Sequence, residues 1–131
     1  MKVLVDTSVW SYALRSRKQE FSAEIEQLES LIKDHSVLII GPIRQELLSG
    51  YSDHQKFEHL KGKLSFFENS PILDSDYEIA AEMSNRCRIN GLQGSHTDFL
   101  ICAVATRLDV PIFTTDNDFR FYKTILPIKL L

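Results

Sequence analysis

Cysteine is scarce in this chain. Cys87 and Cys102 are the only two, neither stands at metal-ligand spacing, and no secretion signal favours their oxidation. They read as core thiols on helices rather than as a disulfide or a zinc site. Long apolar runs are also missing. No stretch approaches the roughly eighteen residues that a membrane helix needs, and Met1-Lys2 leads straight into Val3-Leu4-Val5 and Asp6. The sequence therefore predicts neither a membrane span nor a signal peptide, and the expected location is the cytoplasm. Four prolines and five glycines are too few and too scattered to form a linker, and no repeat or low-complexity tract occurs. One domain over residues 1–131 is expected. Positive charge is not in excess either. A formal net charge of -3 excludes a protein that coats nucleic acid by neutralising many phosphates. It leaves room for an enzyme whose acids bind cations, because two bound divalent ions would reverse the sign.

What is present is an alternation of strand and helix patterns. Residues 2–6, 36–40 and 111–115 are short apolar segments followed by turn or helix-starting residues, the pattern of buried strands. Residues 72–73 and 128–131 are weaker candidates, the second as a terminal edge strand after Pro127. Between them lie helical stripes: Phe21, Ile25, Leu28 and Ile32, then Phe57, Leu60, Leu64 and Phe67, then Ile79, Ala80, Met83 and Cys87, with a stop near Asn90-Gly91. Phe99 to Ala105 is apolar on every side, so that helix is buried against the sheet or shared with a partner. Strands alternating with helices predict an α/β fold, a three-layer α/β/α sandwich around a central parallel sheet of four to five strands.

In such sheets ligands bind at the carboxyl ends of the strands, where the strand order reverses. Four acids fall there. Asp6 closes the first strand and Asp116 follows the segment 111–115, while Glu46 is expected in the first turn of a helix starting near Pro42 and Asp98 in the first turn of one opening at Ser95. Crowded carboxylates repel one another, so the group is costly when empty and stable around a hard cation such as Mg2+ or Mn2+. Oxygen-only ligands favour those ions over zinc, and His54 and His96 show no zinc spacing. In phosphodiester cleavage one or two such ions would serve.

Each acid alone has an ordinary reading. Ser95-x-x-Asp98 matches a capping box, Asp116 or Asp118 suits the N-cap of a last short helix, and Glu46 is favoured electrostatically near a helix start. Asp6 is harder to explain so, because ending a central apolar strand on an unpaired charge is expensive. Thr7, Ser8 and Thr114 are supporting candidates that bond the acids or fill turn roles, and Asp118 is an accessory ligand or a cap. Arg15, Arg17, Lys18 and Arg44 are candidate RNA contacts set against ordinary solvated surface. Trp10 and Tyr12 are candidates for base stacking, with core packing the commoner use of such a Trp.

The segments Val3-Leu4-Val5-Asp6-Thr7-Ser8-Val9, Ile43-Arg44-Gln45-Glu46-Leu47, Thr97-Asp98-Phe99-Leu100-Ile101-Cys102-Ala103 and Phe113-Thr114-Thr115-Asp116-Asn117-Asp118-Phe119 resemble the four motifs of PIN domains, in order and spacing. The chain is similar in particular to the VapC toxins of type II toxin-antitoxin systems. That resemblance implies a Mg2+- or Mn2+-dependent endoribonuclease acting on transfer or ribosomal RNA, a homodimer, and a cognate VapB-type antitoxin that restrains it. It implies that Asp6, Glu46, Asp98 and Asp116 form the metal-binding and catalytic quartet, supported by Thr114. Cys102 departs from the family, where a small Ala is commoner. Other classes fit less well. A phosphoacceptor signalling domain needs an Asp after the second strand, where Gly41-Pro42 stands; a haloacid-dehalogenase-like phosphatase needs Asp where Ser8 stands; no glycine-rich nucleotide loop occurs. A non-catalytic binding module, its acids only capping helices, is the remaining alternative.

Overall fold

The computed structural model describes residues 1–14 and 21–131. Arg15, Arg17 and Lys18 lie outside them. The chain begins with β1 (Val3–Val5), whose three residues are wholly buried, and turns directly into α1 (Thr7–Leu14). Next come α2 (Ser22–Lys33), β2 (Val37–Leu38), α3 (Gly41–Ser49), α4 (His54–Leu64), α5 (Asp74–Ile89), α6 (His96–Leu108), β3 (Ile112–Phe113) and α7 (Asp118–Lys123). The sheet is parallel with order β2-β1-β3, and Leu4 is the hinge of its register, facing Leu38 on one side and Ile112 on the other. A chain that runs from β1 to β2 and then back past β1 to β3 reverses its strand order beside β1. The carboxyl ends of β1 and β3 therefore flank the crevice where such sheets bind ligands.

The sheet proper has three strands, fewer than expected, but single parallel bridges extend it on both edges. Ile112 bridges Leu130, so the segment 128–131 lies along β3 as an edge, tied by Ile112 N–H to Lys129 O at 2.9 Å and Leu131 N–H to Ile112 O at 2.9 Å. On the other edge the bridge joins Ile39 to Asn69, and residues 72–73 form no strand. Pro71 offers no N–H to a ladder, and Leu73 already serves as the N-cap of α5.

The helical stripes pack as their spacing dictates. Ile25 and Leu28 of α2, Leu60 and Leu64 of α4, and Ala80, Met83 and Cys87 of α5 are buried, whereas Ile79 is 38% exposed and lies off the stripe. Gly91, at φ +81°, ends α5 where a side chain would be strained. The all-apolar helix α6 is accounted for within the chain: Phe99, Ile101, Cys102, Ala103, Val104 and Ala105 are all buried, packed against α5 and β3. Truncating one of its larger members would cost about 2–5 kcal/mol. α5 is further tied to α6 by Asp76, fully buried, which accepts from Arg107 Nε at 2.9 Å and from Leu73 N–H at 2.9 Å. No helix among the described residues is long and apolar enough to cross a membrane.

Candidate metal centre

Asp6 sits where β1 gives way to α1, and its N–H donates to Phe113 O at 2.9 Å, so the backbone itself joins the ends of β1 and β3. Its side chain is 6% exposed. Oδ2 accepts from Ser8 Oγ at 2.9 Å and from Thr114 Oγ1 at 2.8 Å. Burial pushes the Asp6 carboxyl above the usual carboxylate range, and those two hydroxyls, with the backbone of Thr7 and Ser8, only partly oppose it. The same hydroxyls brace the neighbouring loop: Ser8 Oγ accepts from Thr115 N–H at 3.1 Å and Thr114 Oγ1 from Asp116 N–H at 3.0 Å. Thr7 contributes backbone rather than hydroxyl, since its Oγ1 is buried without a partner among the described residues.

Asp98 arrives from the first turn of α6. Ser95 caps that helix, its Oγ accepting from Asp98 N–H at 3.1 Å. Only the N-cap half of the expected capping box is realised, and the Asp98 carboxylate is directed to the site instead, with Oδ2 accepting from Tyr122 Oη at 2.8 Å. Burial raises the Asp98 carboxyl first, and the charges of Asp6 and Asp116 raise it further, against the Tyr122 and Ser95 hydroxyls. Asp116 likewise has two tasks. Oδ1 accepts from Asp118 N–H at 2.9 Å at the start of α7, while carboxylate oxygens of Asp98, Asp116 and Asp118 all lie within 4.8 Å of one another. Asp118, expected as an accessory or a cap, is therefore a full member of the tight group.

Glu46 is placed differently. α3 starts at Gly41 with no acid in its first turn, so Glu46 falls in the second turn, exposed and outside that group. It is the sixth residue of α3, about 7.5 Å of helical rise beyond Gly41. Arg44 is occupied elsewhere. Its guanidinium donates to Asn69 Oδ1 at 2.9 Å, to Leu64 O at 2.9 Å and to Phe67 O, fastening α3 to the end of α4. Each guanidinium nitrogen thus makes one bond within the protein, which takes up three of the five N–H donors. Trp10, 4% exposed, packs edge-on against Phe67 with ring centroids 5.3 Å apart, so core packing is the reading the structure supports. Tyr12 stacks on Phe21 at 3.6 Å. Burial pushes both cysteine thiols up, which makes them inert. Sequence reasoning did not single out Tyr122. Its only signal was a place three residues after Phe119 on one helical face, which marks a core residue and not its hydroxyl's destination.

The donor set suits a divalent cation. It is all oxygen, three carboxylates can converge on one point, and the buried Asp6 and half-buried Asp98 are held in a state that a nearby positive charge would relieve. Fold and site together define an α/β protein with an acidic centre at the switch point of its parallel sheet. The chain belongs to the PIN domain family, whose model matches residues 3–124 and whose members are generally nucleases. Among curated proteins no sequence match is found. Solved structures share the fold. The structure of VapBC2 from Rickettsia felis bound to a DNA fragment from its promoter superposes with a TM-score of 0.80 at 21% identity, covering 100% of this chain and 98% of that one. FitAcB from Neisseria gonorrhoeae gives 0.78 at 22%, covering 98% and 96%. VapBC-1 from nontypeable Haemophilus influenzae gives 0.75 at 14%, covering 100% and 97%.

Proposed function

We propose that this protein is a divalent-metal-dependent endoribonuclease, the toxin of a type II toxin-antitoxin pair. The observation that carries the reading is the convergence of Asp98, Asp116 and Asp118 within 4.8 Å, beside the buried Asp6, at the one rim of the sheet where ligands bind. A mere set of helix caps has no need of that convergence. Asp6, Asp98 and Asp116 would hold Mg2+ or Mn2+, with Asp118 as a further ligand and Glu46, assigned by the motif resemblance, as the fourth acid of the site. A cation held there supplies Lewis acidity toward the scissile phosphate and makes water a better nucleophile at neutral pH. The chain's own part is positional. Thr114 and Ser8 fix Asp6, Ser95 and Tyr122 fix Asp98, and the α7 start fixes Asp116, so the acids meet a phosphate in one geometry.

RNA as substrate, transfer or ribosomal RNA in particular, a homodimer and a VapB-type antitoxin follow from the motif resemblance, and the shared fold with VapBC and FitAcB structures supports them. Purified protein freed of antitoxin should cut structured RNA with Mg2+ or Mn2+ and stop with EDTA. Asp6→Asn and Asp98→Asn should abolish cutting with the fold retained, as read on a denaturing gel and by circular dichroism. Undiminished cutting by either variant would overturn the assignment.

A further inference from the structure

Tyr122 is a tyrosine in a place where a phenylalanine would fill the same space. It is 1% exposed, and its ring is held between Phe99, at 5.1 Å between centroids, and Phe119, at 5.3 Å. Phe99 is the residue after Asp98, so the ring rests on the same turn of α6 that carries the carboxylate. A ring confined in this way cannot swing, and its hydroxyl ends 2.8 Å from Asp98 Oδ2. One carboxylate oxygen is thereby pinned, which fixes the plane in which the other lies.

Gly94 makes this contact possible. It is exposed, and it is not among the residues with positive φ, so its backbone conformation does not demand a glycine. A Cβ there, however, would overlap the Tyr122 hydroxyl and stand 2.8 Å from its Cζ and 3.0 Å from Phe99 Cζ. The missing side chain is the space through which the hydroxyl reaches the site. We propose that Tyr122 is a positioning residue for Asp98, orienting that carboxylate for cation binding, and that Gly94 is the residue that admits it. The proposal rests on the metal-centre reading above.

The test is Mn2+ affinity, read from the electron paramagnetic resonance signal of free Mn2+ on wild-type protein, Tyr122→Phe, Gly94→Ala, the double variant and Asp98→Asn. Loss of a hydrogen bond to a ligating carboxylate weakens metal binding by roughly 10- to 100-fold, and Tyr122→Phe should fall in that range with an unchanged near-ultraviolet circular dichroism spectrum. Gly94→Ala should act in the same direction. The double variant should bind no more weakly than the weaker single one, because both changes remove the same bond. Tyr122→Phe within twofold of wild type, while Asp98→Asn binds weakly, overturns the positioning role and leaves the metal centre standing. A lowered Tm with unchanged affinity does the same. Additive losses in the double variant remove Gly94 from the proposal. Wild-type affinity in Asp98→Asn would remove both readings.

Discussion

Thr114 Oγ1 donates to Asp6 Oδ2 at 2.8 Å, joining residues 108 positions apart in the chain. The same oxygen accepts from Asp116 N–H at 3.0 Å, so one hydroxyl orients the acid after β1 and the loop that carries the acid after β3. Thr114→Val keeps the shape and removes both bonds. RNA cleavage should fall by about 10- to 100-fold, and stability by about 1–2 kcal/mol. Single-turnover rates at saturating metal and urea denaturation check the two separately.

Two sets of carboxyls give the metal-free protein opposing pH dependences. Burial raises Asp6 and Asp98 above their unfolded values, so the folded state holds their protons longer, and their contribution worsens as pH rises above about 4. Asp76 behaves in the reverse sense. Burial alone would raise it, but the Arg107 guanidinium and Leu73 N–H outweigh that and lower it, so its stabilisation is present above about pH 4 and lost as pH falls through its folded value. Metal-free protein should therefore gain stability as pH drops from neutral into mild acid, then lose it below about pH 4. Asp6→Asn should raise Tm at neutral pH and flatten the upper limb. Urea midpoints measured across pH in the presence of EDTA test this, and a Tm lowered by Asp6→Asn would contradict it.

Arg107→Ala would leave Asp76, wholly buried, with Leu73 N–H as its one remaining partner among the described residues, and would free the Pro71 carbonyl bonded at 3.0 Å. Removing one member of a buried pair costs about 3–5 kcal/mol. Arg107 is partly exposed, so the lower end is expected, with cleavage per folded molecule unchanged. Comparing denaturation with single-turnover rates at a permissive temperature separates the two effects.

Local patterns carried much of this architecture. β1, β2 and β3 were legible because each is a short apolar run closed by polar turn chemistry, and Asp6 and Asp116 could be placed because they end such runs. Asp98 was legible from its own cap, Ser95. What depended on distance was not. The ion pair of Asp76 with Arg107 spans 31 residues, and the Arg44 bonds to Asn69 and Leu64 reach 25 and 20 residues away, so nothing local distinguished these side chains from solvated charge. Pro42 marks a helix start only to within a residue or so, and with α3 beginning at Gly41 Glu46 falls in the second turn, not the first. For Asp118 the sequence leaves a ligand role and a cap role open, and the bond from its N–H to Asp116 Oδ1 leaves the Asp118 carboxylate to the cluster.

In the proposed centre, carboxylates from the ends of separate elements share one hard cation. Calorimetric titration of antitoxin-free protein with Mn2+ measures that sharing directly. Saturable uptake of one or two ions per chain is predicted, weakened at least about tenfold by Asp98→Asn or Asp116→Asn. A wild-type titration without saturable heat, or isotherms in both variants that superpose on the wild type, would contradict it.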